Sequence, residues 1–170
     1  MPLKYLSHYA PELQHQVKHM MAERSIGAYI QAKYPQAHTI QTDKALYQFV
    51  NEYRKTHLKN APLLNKVQYD NTLNLTHRAL GLNTAISRVQ GGKLVAAKEI
   101  RIASVFKSAP ADFLKMIVVH ELAHLKERNH DKAFYKLCTH MLPEYHQLEF
   151  DLRVYLTGLE MRADKEGVAQ

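Results

Sequence analysis

Val118-Val-His-Glu-Leu-Ala-His-Leu-Lys-Glu-Arg-Asn-His-Asp-Lys-Ala-Phe-Tyr135 is the stretch from which the rest of the chain can be read. Within it, His120-Glu121-Leu122-Ala123-His124 has the form H-E-x-x-H. On an α-helix, four residues advance about 400° and rise about 6 Å, so both imidazoles leave one face, one turn apart. At that separation both rings can bind one Zn2+ at about 2.0–2.1 Å. Glu121, beside the first of them, can reach a water on the ion without binding the ion itself, which is the place of a general base. The surrounding helix supports this reading. Ser108-Ala-Pro-Ala-Asp112 opens it, with Pro110 suited to its first turn. Leu114, Val118, Leu122 and Leu125 form one apolar stripe, and Phe113, Met116 and Ile117 cover much of the rest. A helix apolar on most sides lies at the centre of a domain. Two imidazoles and a carboxylate would be costly there without partners, and a metal supplies them.

Catalytic zinc takes three protein ligands and keeps one position open. His130 is the preferred third ligand, six residues after His124. A continued helix would carry it about 9 Å along the axis and about 240° round, so the helix must break first. Arg128-Asn129 is placed for that break, because asparagine tolerates the left-handed conformation that ends helices. Asp131 can then cap the helix that follows. The spacing H-E-x-x-H-x5-H equals that of the metzincin ligands, but Glu127 stands where that motif has its turn glycine, so the chain is not read as a metzincin. Glu144 and Glu149 are rival third ligands from a following helix, and a surface histidine in a turn is the plain alternative for His130.

Outward from the motif, Phe134, Leu137, Cys138 and Met141 define a helix that ends before Pro143. Tyr145, Leu148, Leu152, Tyr155, Leu156 and Leu159 define the last one. Upstream, Pro11 to Tyr34 and Asp43 to about Leu58 read as two helices, the second capped by Thr42 or Asp43. Between Asn65 and Val105 the period shifts towards two. Lys66-Val-Gln-Tyr-Asp70, a turn at Asp70-Asn71 and Leu73-Asn-Leu-Thr76 read as one hairpin. Leu82 to Gln90, Gly91-Gly92 and Lys93 to Val95 read as another, and Glu99-Ile-Arg-Ile-Ala103 as a strand leading into the motif helix. The expectation is an α+β fold: N-terminal helices, a small and mainly antiparallel sheet, the buried motif helix and two C-terminal helices. Residues 1–160 form one domain, and the polar tail 161–170 is expected to fray.

Composition sets limits on function. An apolar share of 46% and a charged share of 23% over 170 residues suit a globular domain. No apolar run approaches the roughly 20 residues of a membrane span, and Met1 to Ala10 carries no apolar leader. Cys138 has no internal disulfide partner, which points to the reducing cytoplasm. In its apolar stripe it reads as a small buried hydrophobe rather than a nucleophile. The formal charge of +7 is unevenly spread. Lys44 to Lys107 holds eleven Lys or Arg residues against three acidic ones, whereas the stretch after Lys107 holds eight against ten. A basic half favours an anionic partner, nucleic acid or nucleotide, with a solvated face as the alternative.

The motif segment, followed by Leu142-Pro143, closely resembles the YgjP-like metallohydrolases, bacterial zincins. The resemblance rests on His120-Glu-Leu-Ala-His124, then Asn129-His130-Asp131 and Phe134, and extends upstream through Arg88-Val-Gln-Gly-Gly-Lys93 and Ile100-Arg-Ile102. Many members have Arg-Trp-Gly-Ser-Cys where this chain has Arg88-Val-Gln-Gly-Gly92. The resemblance implies a zincin-like α+β fold, His120, His124 and His130 as zinc ligands and Glu121 as catalyst. The motif layout is also similar to that of the SprT and WLM metalloproteases.

Three functions follow. The first expectation is a metallopeptidase acting on a protein or peptide held against the Glu99–Ala103 strand by main-chain pairing. The second is a nucleoside-triphosphate pyrophosphatase of the UTP type, which the resemblance also implies, with Arg88, Lys93, Lys98 and Arg101 binding phosphates. The third is a nucleic-acid or protein-binding module with structural zinc, which would have no need of Glu121 and would recruit a fourth ligand. Tyr135, Tyr145, His140 and His146 are available as donors to a developing oxyanion, with no basis in sequence for choosing among them.

Overall fold

A single α-helix from Pro11 to Tyr34 would have to pass through Arg24, and the chain does not do so. In this computed structural model, which describes residues 3–73, 87–90, 93–96 and 99–168, α1 spans Pro11–Glu23 and α2 spans Ile26–Lys33. Arg24 adopts the left-handed conformation (φ 56°, ψ 38°). Its N–H donates to Met21 and that of Ser25 to Met20, the paired bonds of a Schellman end. Neither glycine nor asparagine marks this break, so the apolar periodicity running through it conceals it.

The next helix, α3 (Asp43–His57), begins where expected. Thr42 is its N-cap and accepts from the Ala45 N–H at 3.1 Å. It is followed by β1 (Lys66–Asp70), β2 (Ser87–Gln90), β3 (Lys93–Ala96) and β4 (Glu99–Ala103). β2 and β3 pair antiparallel, with Gln90 opposite Lys93, as the second hairpin requires, although residues 82–86 and 91–92 of that expected hairpin lie outside the described residues. The first hairpin is not confirmed. Its second arm, Leu73 to Thr76, falls almost wholly outside the described residues, and β1 pairs instead with β4, in parallel, Val67 opposite Ile100 and Tyr69 opposite Ile102. Alternation fixes which face of a strand is apolar but says nothing about direction, so the expected mainly antiparallel sheet needs this correction. The inward residues Val67, Tyr69, Ile100 and Ile102 are all buried.

A 3-10 turn at Ser104–Lys107 delivers the chain to α4 (Ala111–Ala123), with Pro110 at its N-cap. Phe113, Leu114, Met116, Ile117, Val118, Val119 and Leu122 are each at most 4% exposed. At about 1.5–3 kcal/mol per buried large apolar side chain, this helix is a principal source of the fold's stability. α3, α5 (Lys132–Met141), α6 (Tyr145–Val168) and β4 all pack on it. Asp131 caps α5, accepting from the Phe134 N–H at 3.0 Å. α6 continues through the polar stretch after Met161 as far as Val168, with residues 162–167 exposed. The result is a single α+β domain. None of the described helices is long and apolar enough to cross a membrane.

Two buried polar clusters join distant parts of the chain to α6. Asp151 accepts from Tyr34, from Tyr29 at 2.8 Å and from Gln147 at 3.1 Å, and pairs with Lys33 at 2.9 Å. Burial would raise this carboxyl, but those partners outweigh it and hold it below the usual carboxylate range. Arg153 pairs with Glu149 at 3.0 Å and donates to the Tyr5 carbonyl at 2.8 Å.

Candidate metal centre

The motif helix ends earlier than Arg128-Asn129. Regular α-helix stops at Ala123, and His124 is the C-cap, still in right-handed α conformation (φ −66°, ψ −14°). The chain then turns on Leu125 N–H to Leu122, Lys126 to Ala123 and Glu127 to Ala123. Asn129 is not left-handed, since Arg24 is the one non-glycine residue with positive φ among those described. The tightened last turn, not an asparagine cap, swings the chain back. His130 therefore returns over the His120–His124 face.

The three Nε2 atoms form a small triangle. They lie 3.3 Å (His120–His124), 2.9 Å (His124–His130) and 3.4 Å (His120–His130) apart. Two nitrogens at about 2.0–2.1 Å from one tetrahedral ion lie about 3.3–3.4 Å apart, which two of the three separations match, while the His124–His130 pair is closer at 2.9 Å. Three imidazole nitrogens converging this closely cannot all satisfy one another as donor and acceptor. A cation resolves that conflict.

The far sides of two rings are engaged. His124 Nδ1–H donates to the Glu127 carbonyl at 3.0 Å. His120 Nδ1 lies 2.8 Å from the Tyr145 hydroxyl. With the proton on Nδ1, each ring turns a bare Nε2 towards the triangle's centre. Phe134 lies against all three rings, with centroids at 5.1, 4.6 and 4.9 Å from His120, His124 and His130. Burial lowers all three imidazoles, His124 to about 4 and His120 well below its usual value, so they stay neutral and able to bind a metal near neutral pH. Glu121 shows part of its surface, but its carboxyl is walled in by protein, and that desolvation pushes it up to about 8.

The rival ligands lie elsewhere. Glu149 is buried against Arg153, and Glu144 is exposed outside the histidine cluster. Of the possible oxyanion donors, Tyr145 faces the back of His120, while His140 and His146 are exposed. Tyr135 packs edge-on to Phe134 at 5.2 Å. Among the proposed phosphate-binding cations, Arg101 is paired with Asp70 at 3.2 Å and Glu99 at 3.1 Å, so its charge is already matched. Only the backbone of Arg88 and Lys93 is described, and Lys98 lies outside the described residues. Sequence reasoning did not assign Tyr145 its place behind His120 or Phe134 its place among the rings. An aromatic four residues after the last histidine was the available signal for Phe134.

Comparison with known proteins agrees with the motif. The family model described as "YgjP-like, metallopeptidase domain" matches residues 5–155. The chain belongs to the YgjP-like family. It is also similar to the UTP pyrophosphatase of Escherichia coli (strain K12), 53% identical over 163 residues, which are 96% of this chain and 98% of that protein. No solved structure matches. This YgjP-like chain is accordingly a hydrolase, and its three clustered histidines are consistent with a bound metal.

Proposed function

We propose that the chain is a zinc-dependent nucleoside-triphosphate pyrophosphatase, with His120, His124 and His130 as ligands and Glu121 as general base. The substrate half rests on one observation, the 53% identity across nearly the whole length of both chains to a protein named UTP pyrophosphatase. The metal half is supported by the Nε2 triangle, and three neutral imidazoles with no thiolate or carboxylate are a donor set suited to zinc. A single buried thiol, Cys138, accords with a cytoplasmic setting.

When bound, the ion supplies Lewis acidity to the attacking water and to the phosphoryl oxygens. The chain's own residues do the rest. His120 and His124 are held with Nε2 inward by Tyr145 and the Glu127 carbonyl, which orients both rings towards the place a metal would take. Glu121 takes the proton from the water as its oxygen attacks the α-phosphorus. The bond from that phosphorus to the α–β bridging oxygen breaks, and pyrophosphate leaves. Burial raises the Glu121 carboxyl to about 8, and a positive ion beside it would act in the opposite direction and favour the carboxylate that accepts the proton.

The test is pyrophosphate release from UTP by zinc-loaded protein, with an unfolded protein as the competing substrate. Glu121→Gln should keep the metal and lose about 10²- to 10⁴-fold in turnover. Cleavage of the polypeptide with no release from UTP or other triphosphates would refute the nucleotide assignment. That result would favour the second reading, a metallopeptidase, which the family's description supports.

A further inference from the structure

Far from the histidines, α1, α2 and α6, with the chain at 34–37 and 108–110, line a half-open cavity of about 340 Å³. Ala109 and Pro110 line it at the start of α4, whereas the histidine cluster lies at the other end of that helix. Ten residues from Pro110 to His120 correspond to about 15 Å of helix. The size is at the lower end of the range for small-ligand sites, roughly 300–1,000 Å³.

The cavity is polarised. Its floor is buried and apolar: Ile26, Ile30, Ala109 and the ring of Tyr34. The Tyr34 hydroxyl is committed to Asp151, and the polar lining comes from Gln31, Gln36, Ser108 and Tyr155. Met20, Met21 and Met161 add adaptable apolar walls. Exposed Arg24, Arg162 and Lys165 line the mouth, and no Asp or Glu does so among the described residues.

Two glycines lie in the walls of this cavity. A Cβ at Gly158 would lie 2.8 Å from Ile26 Cγ2, so only glycine lets α6 approach α2 this closely. The Arg162 guanidinium lies over Gly27, 2.7 Å from where a Cβ there would sit.

We propose that this cavity is a second ligand site, separate from the metal centre, for a small amphipathic anion: a medium-length acyl chain on the apolar floor with its carboxylate among Arg24, Arg162 and Lys165. The three cations favour an anionic head, and the buried Ile26, Ile30 and Ala109 with the flanking methionines favour an apolar chain beneath it.

The experiment is a titration of full-length, zinc-loaded protein, labelled at its methionine methyl groups, with decanoate. Binding should shift the Met20, Met21 and Met161 signals and leave Met116 and Met141 in place. Arg24→Glu combined with Arg162→Glu should weaken the apparent affinity at least tenfold. Leu159 also lines the cavity, and Leu159→Trp, which fills it from that wall, should abolish the shifts while leaving the thermal midpoint and the metal content near wild type. Decylamine, with the opposite head charge, should not bind. Unshifted Met20, Met21 and Met161 signals would overturn the proposal, as would affinity that survives both sets of substitutions. Equal binding of decylamine would remove the role of the cations. Preferential binding of uridine monophosphate with the same shifts would replace the acyl assignment with a nucleotide one.

Discussion

Replacing Tyr145 by phenylalanine should weaken metal binding about 5- to 150-fold without unfolding the protein. His120 is fully buried, and its Nδ1 lies 2.8 Å from the Tyr145 hydroxyl. When Nε2 binds an ion, the proton must sit on Nδ1, and in the variant that buried N–H has no acceptor at this position. An unsatisfied buried donor costs about 1–3 kcal/mol, and 1.4 kcal/mol is a factor of ten in affinity. The metal-free variant avoids the cost by moving the proton to Nε2, so the penalty falls on the bound state alone. The size also agrees with the roughly 10- to 100-fold losses expected when a ligand's hydrogen-bond partner is removed. Competition against a chelator of known affinity, with zinc or cobalt, measures the ratio directly. Tyr135→Phe is the control, because its ring centroid lies 6.2 Å from that of Tyr145 and it belongs to the same aromatic cluster. A Tyr145→Phe affinity within twofold of wild type, or an equal loss in Tyr135→Phe, would refute the reasoning.

Three further outcomes follow from the same structure. His124→Ala should remove most of the tightly bound metal by elemental analysis, since two imidazoles hold zinc far less well than three; full occupancy would exclude this site. Asp151, held below the ordinary carboxylate range by its four partners, contributes stability that is present above the unfolded value near pH 3.9 and is lost as pH falls through the folded value. Asp151→Asn should therefore cost on the order of 1–3 kcal/mol at pH 7 and flatten the acid limb of the stability profile in denaturant titrations; an unchanged acid limb would contradict this. If the basic stretch from Lys44 to Lys107 serves an anionic partner, anisotropy titrations with nucleic acid or triphosphate should show affinity falling steeply with salt, and Lys93→Glu should weaken it. No binding at low ionic strength would reduce that charge to a solvated face.

Much of the scaffold was legible because it is written in local periodicity. The apolar residues around α4 announced a central helix, and nearly all of them are buried. Thr42 and Asp131 cap the helices they precede, because an N-cap is set by the residues immediately around it. Arg24 was not legible. An arginine in the left-handed conformation closes α1 through backbone bonds that any residue can make, so neither glycine nor asparagine marks the place.

By itself, the sequence determined that His120 and His124 share one helical face one turn apart, with Glu121 beside them, since 3.6 residues per turn is a property of the chain alone. It also determined which faces of the strands are apolar. Only the tertiary structure brings a third histidine, His130, beside the pair. The return of His130 depends on the turn at Leu125–Glu127, and Glu149 is held instead by Arg153, which also donates to the Tyr5 carbonyl 148 residues away. The parallel pairing of β1 with β4, the place of Tyr145 behind His120 and the cavity between α2 and α6 were settled in the same way. Each is a contact between segments far apart in the chain, chosen by how helices and strands pack rather than by the residues on either side.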